Sequence, residues 1–364
     1  MHFISKTISR KIIFASSIAV AVLLAISAIL YLLDPVEIKI YILAILAAAL
    51  IIITSAISIV TLARPLYKIT REMKAMMIGK TYKKIFSTRI DELGVISNFF
   101  NEISSSLEKA TAEIKERRRL ANELNTAAQI QNDLLPKEKP KIPGLDITAK
   151  TRAAAEIGGD SYDFITQKNN SIIYLGDVTG HGIPAGLVMM MANTLVHSFA
   201  SFELPANEIL IKTNKELKPR IKKAMFMTMV LLSWNHKTKS MIFSGAGHEY
   251  LIIYRAKTGE AEKIPSGGIA LGMIPDNTAL TKNNDLKLDI GDVIVLYSDG
   301  LTEGRSAAGE MYTEAKVIEN LLEVAKDKNS DEILSHIAQK FSDFSENVEQ
   351  ADDVSMMVIK RVEE

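Results

Sequence analysis

Two long uncharged segments near the start of the chain constrain its fold more than any other feature. Residues 12–33 and residues 40–63 contain no Asp, Glu, Lys or Arg. About 20 apolar residues are needed to cross the ~30 Å hydrocarbon core of a bilayer, so each segment is long enough for a transmembrane helix. A signal peptide has a shorter apolar stretch and is not followed by a second span within a few residues. The sequence therefore predicts a membrane anchor of two helices within residues 1–63.

The basic residues that flank these segments predict their orientation. They are Lys6, Arg10 and Lys11 before the first span and Arg64, Lys68 and Arg71 after the second. Because basic flanks stay on the cytoplasmic side, we expect a multi-pass protein of the cell (inner) membrane with both chain ends in the cytoplasm. The link at residues 34–39 is too short for an external ligand-binding domain.

Composition argues against several classes of partner and site. The 364 residues carry 43 basic and 43 acidic side chains, and no basic tract marks a surface for nucleic acid. The chain has no Cys, and its six His residues show no ligand spacing, which argues against a zinc site. After the predicted spans about 300 residues remain, enough for one sizeable domain and a helical connector.

The segment after the second predicted span has the spacing of an amphipathic helix that is interrupted once. Apolar side chains recur at steps of three and four, stop at Gly79, and resume after a polar stretch at residues 81–89. The two sets are Leu66, Ile69, Met73 and Met76, then Leu93, Ile96, Phe100, Ile103 and Leu107. Two short heptad helices joined by a loop just beyond a membrane span suit a parallel, dimeric four-helix bundle.

This connector resembles a HAMP signalling domain. The motif RPLYKIT places Pro65 just past the membrane, and DELGVISNFFNEI is similar to the family's Asp-Glu-Leu-Gly start of the second helix. The resemblance assigns residues 64–108 to a HAMP domain and implies a homodimer. An amphipathic linker without switching ability is the alternative.

Heptad spacing continues through residues 109–136 and predicts a helical stalk with coiled-coil character. The a positions are Leu107, Ile114, Ala121, Ala128 and Leu135, and the d positions are Ile103, Ala110, Arg117, Leu124 and Gln131. Because Arg117 and Gln131 weaken the d seam, we expect a stalk that can change its packing, with residues 127–135 against the following domain. Pro136 stops the helix, which places the domain boundary at residue 137.

Four aspartate motifs lie far apart in residues 137–364 and predict a metal centre. They are Asp160 in GGDSYDF, Asp177 in GDVTGHG, Asp299 in SDGLTE, and the pair Asp352 and Asp353 in ADDVSMMV. Strand-like apolar runs or Gly-rich turns adjoin them, so we expect the carboxylates at strand ends. Converging carboxylates repel one another unless a cation lies between them, and Mg²⁺ and Mn²⁺ prefer such oxygen ligands. Taken singly, each Asp could also be an ordinary turn residue.

The order of the predicted elements favours an α+β fold. Strand candidates are residues 145–151, 171–175, 226–234, 240–244, 250–255, 292–297 and 354–361, and helix candidates are residues 184–201, 206–223, 313–325 and 331–344. Consecutive strands that turn at residues 235–238 indicate an antiparallel hairpin. We therefore predict a two-sheet αββα sandwich over residues 137–364, rather than a doubly wound parallel sheet in which strands and helices alternate.

The motifs of residues 120–362 together resemble a phosphatase family. They are AAAEIGGDSYDF, YLGDVTGHGIPAGLVMMMA, FMTMVLLSWN, FSGAGHEYLIIY, GGIALGMIPD, LYSDGLTEGR and DDVSMMVIK. In this order they are similar to the signatures of bacterial stage II sporulation protein E / RsbU-type phosphatases, which belong to the metal-dependent type 2C superfamily. The resemblance implies hydrolysis of phosphoserine or phosphothreonine on a partner protein, often an anti-sigma-factor antagonist.

The resemblance also implies roles for the acidic residues. Two Mn²⁺ or Mg²⁺ ions would be bridged by Asp177, with the backbone carbonyl of Val178 completing one coordination sphere. The remaining direct or water-mediated contacts would come from Asp160, Asp299 and Asp352. Of the adjacent pair, Asp352 is favoured over Asp353 because it matches the family's metal-binding Asp. Paired metal ions lower the pKa of a bridging water and clamp a phosphoryl oxygen.

His181 and Arg152 each keep two interpretations, and His248 has one. His181 is predicted either to donate a proton to the departing serine oxygen or to shape a turn. Arg152 is either a contact to the substrate phosphate or a surface residue. His248, in the motif GAGHEY, is expected to pack near the site, although the following Glu-Tyr departs from the family's usual Asn-Pro.

Two rival functions stay open at this stage. GGDSYDF is superficially like the GGDEF loop of diguanylate cyclases, which also follow HAMP domains, but it lacks the Glu-Phe continuation and leaves the other motifs unexplained. A catalytically inactive pseudophosphatase that binds phosphoproteins is the alternative without enzyme activity. A histidine kinase is excluded because no His-Glu helix or Gly-rich ATP lid follows the connector.

Overall fold

The computed structural model describes residues 8–31 and 36–363. Lys6, the last two residues of the first predicted span and the start of the link at residues 34–39 lie outside these ranges. The chain divides into two compact units, Met1–Arg119 and Leu120–Glu364.

The first unit is helical. Its helices are α1 (Ile8–Tyr31), α2 (Val36–Ser58), α3 (Arg64–Met77) and α4 (Glu92–Leu134), and a π-helical turn, Ile59–Ala63, joins α2 to α3. Proline lies in the first turn of α3, where its missing N–H costs nothing. The helix α4 runs through the predicted stalk without a break and ends just before Pro136.

Within the described ranges, three helical segments are long and apolar enough to cross a membrane: Arg10–Ile29, Ile40–Met77 and Ile183–Ala200. In the first two, none of the apolar window is buried, whereas 44% of the third window is buried. The third segment is a helix of the second unit, and its buried side chains, such as Met189, belong to a domain core. This pattern is compatible with a membrane protein whose apolar N-terminal helices face lipid.

Helices α3 and α4 lie parallel to each other. The Arg89 guanidinium just before α4 donates to the carbonyl of Thr61, and the Ser104 hydroxyl of α4 contacts the sulfur of Met76. Both contacts join residues 28 positions apart, so the two segments advance in the same direction. A small apolar cluster lies between them, made of Ile69, Ile85, Leu93 and Phe100.

The chain between α3 and α4 is held by side chains of both helices. The amide of Lys83 donates to the Glu72 carboxylate of α3, and Asn101 of α4 both donates to and accepts from the backbone of Ile85. Extended backbone that cannot pair in a sheet is thereby satisfied by side chains. This segment is therefore a defined connector between parallel helices.

A buried carboxylate at the start of α4, Asp91, forms ion pairs with two basic residues. Asp91 accepts hydrogen bonds from Lys11 of α1 at 2.8 Å and from Arg89 at 2.8 Å. Burial opposes the charge, but these bonds hold the pKa of Asp91 well below its usual range. The first turns of α1 and the start of α4 are therefore tied through one ion cluster.

The second unit is a sandwich of two antiparallel sheets. Its strands are β1 (Leu145–Arg152), β2 (Ser161–Thr166), β3 (Asn170–Val178), β4 (Met227–Asn235), β5 (Met241–Ala246), β6 (Leu251–Arg255), β7 (Glu260–Ile264), β8 (Asn284–Leu286), β9 (Val293–Tyr297) and β10 (Val354–Arg361). One sheet has the order β1-β10-β9-β6-β7 and the other the order β2-β3-β4-β5-β8.

Helices cover the outer face of each sheet. They are α5 (Ile183–Ala200), α6 (Ala206–Leu217), α7 (Asp299–Thr302), α8 (Thr313–Val324) and α9 (Ser330–Phe344). The side chains of β9 show why its sequence is apolar throughout: Ile294 and Leu296 lie in the core between the sheets, while Val295 and Tyr297 pack against α8 and α9. A strand buried on both faces needs a continuous apolar run. The predicted αββα sandwich is confirmed.

Three strands were not predicted from the sequence: β2, β7 and β8. β7 and β8 are edge strands in which most side chains are exposed, so they lack the apolar alternation that marks a strand. β2 begins directly after Asp160 and was hidden within the motif GGDSYDF. β3 is also longer than predicted, which places Asp177 within the strand, opposite Thr228 of β4.

Candidate metal centre

The fold brings four of the predicted aspartates to one edge of the sandwich. Asp160 precedes β2, Asp177 is the penultimate residue of β3, Asp299 begins α7 directly after β9, and Asp352 precedes β10. Burial raises the pKa of Asp177, and the negative charges of Asp160, Asp299 and Asp352 raise it further. Residues from both sheets therefore form one acidic cluster centred on Asp177.

Asp160 is the most buried member, with 4% of its surface exposed. Its Oδ2 accepts a hydrogen bond from the Ser298 hydroxyl at 2.9 Å, whereas its buried Oδ1 has no hydrogen-bond partner among the described residues. Burial raises the pKa of Asp160, and the charge of Asp353 raises it further against the opposing bonds from Ser355 and Ser298. An ionised carboxylate oxygen without a partner is costly to bury unless a cation or proton compensates it.

The neighbouring carboxylates Asp352 and Asp353 differ in their burial and in their contacts. Asp353 is buried and accepts hydrogen bonds from the backbone amides of Ala154 at 2.7 Å and Gly159 at 2.5 Å. Its two oxygens are thus engaged in holding the loop that carries Asp160. Asp352 is only partly buried, and its charge raises the pKa of both Asp177 and Asp299. Both carboxylates therefore act on the cluster, but both oxygens of Asp353 are committed to the loop, whereas Asp352 acts on Asp177 and Asp299.

The carbonyl of Val178 lies against the loop that carries Asp160. A Cβ atom placed on Gly159 would come within 2.9 Å of that carbonyl oxygen, so only glycine allows the approach. The turn that follows, with Gly180 at φ +79° and Gly182 at φ +80°, requires the left-handed backbone that glycine adopts freely. The glycines of both motifs are therefore explained by backbone geometry next to the cluster.

The donor set fits a hard divalent cation. Its members are carboxylate oxygens, with a backbone carbonyl beside them, which are the ligands that Mg²⁺ and Mn²⁺ prefer. Across the described residues, no three acidic or histidine side chains already lie at the spacing of a closed coordination sphere. The fit therefore rests on the mutual charge of the cluster and on the unpaired oxygen of Asp160.

His181 and Arg152 lie at the surface near this cluster. His181 is exposed in the turn between β3 and α5. Arg152 is exposed at the end of β1 and borders a cavity of about 430 Å³, which Asp352 and Gly300 also line. The cavity opens beside the acidic cluster and carries a second cation, Arg305.

The sequence analysis assigned Gln131 to a weakened seam of the stalk, and the structure gives it another role. The side chain is 6% exposed. Its amide nitrogen donates to the carbonyl of Gly158 at 2.6 Å, and its oxygen accepts from the Gly158 amide at 3.0 Å. The end of α4 is therefore hydrogen-bonded to the backbone of Gly158, two residues before Asp160. The sequence signal for this role was that Gln131, a polar residue, stands at a heptad position that is usually apolar.

Comparisons with known proteins decide the family. The family model for Stage II sporulation protein E (SpoIIE) matches residues 167–362, which is more than half of the chain. Phosphoserine phosphatase RsbU of Bacillus subtilis (strain 168) is 30% identical over 245 residues, covering 66% of this chain and 71% of RsbU. The chain belongs to the SpoIIE family.

Solved structures agree on the fold of this SpoIIE-family chain. The SiaA-PP2C domain of Pseudomonas aeruginosa matches with a TM-score of 0.58 at 19% identity, covering 68% of this chain and 98% of that one. The PP2C phosphatase domain of SpoIIE from Bacillus subtilis, solved with a fragment of its regulatory domain, matches with a TM-score of 0.52 at 18% identity, covering 59% and 62%. At these identities the likeness shows the fold alone, which is that of PP2C phosphatases.

Proposed function

We propose that this SpoIIE-family chain is a metal-dependent protein serine/threonine phosphatase. The observation that carries the proposal is the acidic cluster, in which Asp177 is surrounded by three carboxylates and Asp160 keeps a buried oxygen without a partner. Asp160, Asp177, Asp299 and Asp352, with the carbonyl of Val178, would hold two Mn²⁺ or Mg²⁺ ions. When bound, such ions supply a water of lowered pKa and neutralise the charge of a phosphoryl group.

The chain's own residues would perform the remaining tasks. Asp177, between the other carboxylates, would fix the spacing of the two ions. His181, exposed in the adjacent turn, would give a proton to the departing serine or threonine oxygen, a task that suits an imidazole near neutral pH. Arg152 would orient the phosphorylated segment at the mouth of the cavity. Water-activated hydrolysis needs no covalent intermediate, so the absence of Cys is no obstacle.

A phosphorylated protein is the substrate that we propose. The relative RsbU is named a phosphoserine phosphatase, and the motifs of this chain resemble phosphatases that often act on anti-sigma-factor antagonists. The cavity beside the cluster carries Arg152 and Arg305, whose guanidinium groups can bind the phosphate of a phosphorylated segment. Bacterial signalling is therefore the proposed setting.

We further propose that residues 64–108 form a HAMP domain that dimerises in the cell (inner) membrane, with both chain ends in the cytoplasm. The parallel pair of α3 and α4, with its defined connector, supports this assignment. One set of heptad side chains is buried within the pair, whereas another set remains 39–49% exposed: Leu66, Met73, Ile96, Ile103 and Leu107. A second copy of the chain would cover this set.

The test is metal-dependent release of phosphate from a phosphoserine peptide. The purified fragment should begin at residue 120 rather than 137, because Gln131 and Leu135 pack into the domain. We expect turnover with Mn²⁺ or Mg²⁺ and none in excess EDTA, with recovery when the metal is restored. Full activity in EDTA would overturn the metal mechanism. Phosphopeptide binding without turnover would favour a pseudophosphatase, and formation of cyclic dinucleotide from GTP would favour the cyclase.

A further inference from the structure

His248 lies in a turn whose backbone is hydrogen-bonded on both sides of the residue. It follows β5 after Gly247, which adopts φ +66°. The Gly247 amide donates to the carbonyl of Gly267 at 2.8 Å, and the Ser266 hydroxyl donates to the carbonyl of His248 at 2.5 Å. The backbone is thus anchored on both sides of the residue, and the imidazole ring has a fixed point of origin.

The ring of His248 lies between the two sheets. Its Nδ1 is 2.9 Å from the hydroxyl of Thr228, and that hydroxyl is 3.4 Å from the carbonyl oxygen of Asp177, the residue opposite Thr228 in the sheet. Thr228 is the cross-strand neighbour of Asp177, so the ring lies next to the strand end that carries this carboxylate.

The ring is neutral, which fixes what it can bond. Burial lowers the pKa of His248 to about 4, against the smaller opposing effect of the Tyr297 backbone. A neutral imidazole has one donor nitrogen and one acceptor nitrogen. The one proton of the Thr228 hydroxyl is donated to the carbonyl oxygen of Asp177, so Nδ1 carries the ring N–H and donates to the hydroxyl oxygen. Nε2 is then the acceptor nitrogen, shielded from solvent and without a hydrogen-bond partner among the described residues.

We propose that His248 is a positioning residue that acts through Thr228 to fix the end of β3 that carries Asp177. The ring is bonded to the Thr228 hydroxyl, and that hydroxyl is bonded to the backbone carbonyl of Asp177. Because the turn that carries His248 is itself anchored, this chain of contacts ends on a fixed point behind the site. The inference rests on the proposed metal-dependent function, because its effect is exerted on ligand geometry. Partners one shell behind metal ligands typically change metal affinity by 10–100-fold.

The experiment measures Mn²⁺ binding to the full-length chain in detergent by the electron paramagnetic resonance of free Mn²⁺, a readout that needs no turnover. We expect His248→Ala to weaken Mn²⁺ binding by about ten-fold. The matched control is His236→Ala, because His236 makes the same type of bond, 2.9 Å from Nε2 to the hydroxyl of Ser171, at the far end of β3. Metal-free melting temperatures should fall equally in the two variants, so that a loss of general stability is separated from a loss of ligand geometry.

Two further variants keep the inference open to refutation if His248→Ala does not fold. His248→Asn retains one donor and one acceptor and should recover most of the Mn²⁺ affinity. Thr228→Val keeps the shape but removes the hydroxyl and should weaken binding as His248→Ala does, whereas Thr228→Ser should not. Equal Mn²⁺ affinity in the His248 and Thr228 variants and in the control would overturn the positioning role alone. A wild-type chain that binds no Mn²⁺ would overturn the proposed function as well.

Discussion

The two units of this chain bury their apolar residues in different ways. The sandwich unit encloses three cores and buries side chains as large as Trp234 completely. The helical unit has one small cluster and leaves large side chains such as Met77 and Phe86 at 85% and 91% exposure. Apolar helices that lack an interior of their own need lipid or another chain to cover them. The sandwich has the interior of a self-sufficient domain, whereas the helical unit depends on its surroundings.

This difference predicts how strongly single substitutions should act in each unit. In the sandwich, buried polar groups such as Asp160 and Asp353 are held by named partners, so substitutions there should act locally and strongly. In the helical unit, most side chains of α4 beyond Phe100 are exposed, so single substitutions should act weakly and through association.

The largest effect is expected in the acidic cluster. Asp177→Asn removes the central carboxylate and should cost at least ~3 kcal/mol of transition-state stabilisation, on the order of 10²-fold in kcat/KM. The measurement is phosphate release from a phosphoserine peptide at saturating Mn²⁺. Asp163→Asn is the control, because this half-buried Asp of β2 lies outside the cluster. Near-normal turnover of a folded Asp177→Asn variant would contradict the bridging role.

A smaller loss of activity is expected from a substitution at Gln131, near the end of α4. Gln131→Leu leaves the amide and carbonyl of Gly158 without partners, each costing ~1–3 kcal/mol if no water replaces the side chain. Because Gly158 precedes Asp160 by two residues, we expect about a ten-fold fall in kcat/KM. Gln339→Leu, on the exposed face of α9, is the control. If activity is unchanged, the end of α4 is only an attachment and does not influence the site.

His181 should matter only for substrates that need a proton. His181→Ala should slow a phosphoserine peptide by at most about 10²-fold, the lower end of general acid catalysis. An activated aryl phosphate, whose leaving group departs without a proton, should be slowed far less. The ratio of the two kcat values is measured in one preparation. Equal slowing of both substrates would assign His181 to the shape of the turn.

The acidic cluster should make the metal-free domain less stable as pH rises. The folded domain holds protons on Asp160, Asp177 and Asp299 to higher pH than the unfolded chain does, because burial and mutual charge raise their pKa values. Their destabilisation is absent below about pH 4 and grows as pH rises toward the raised values. The metal-free melting temperature should fall by roughly 2–4 °C per kcal/mol lost, and saturating Mn²⁺ should remove the decline. A metal-free profile that Asp177→Asn leaves unchanged would contradict the raised pKa values of the cluster.

The smallest effects are expected along α4, where association replaces burial. Cys introduced at Leu107 or Leu124, both at heptad seam positions, should form disulfides between subunits in native membranes. Cys at Ala112, on the opposite face, should not. Arg117→Leu should strengthen the heptad seam. It should make phosphatase activity less responsive to any input that the proposed HAMP domain transmits, without changing the sandwich itself. A chain that stays monomeric in membranes would leave the exposed heptad face to a different partner.

The sequence predicted most of the sandwich because apolar runs and glycine turns are local signals. It located Asp160, Asp177, Asp299 and Asp352, since each stands beside a strand or turn that the pattern reveals. It missed what depends on distant pairing. The bonds from Gln131 to Gly158 and from Ser298 to Asp160 join residues 27 and 138 positions apart, and nothing in the local pattern of either partner records them. The edge strands were missed because their exposed side chains follow no period.

The adjacent carboxylates before β10 affect how a deep mutational scan of this protein would be interpreted. Loss of Asp353 frees the amides of Ala154 and Gly159 and loosens the loop, while loss of Asp352 removes a charge from the cluster and leaves the loop bonded. A scan scored by activity alone would rank both positions as equally intolerant. One that also scores abundance would separate them, because Asp353 variants should be depleted in both measurements and Asp352 variants in activity only.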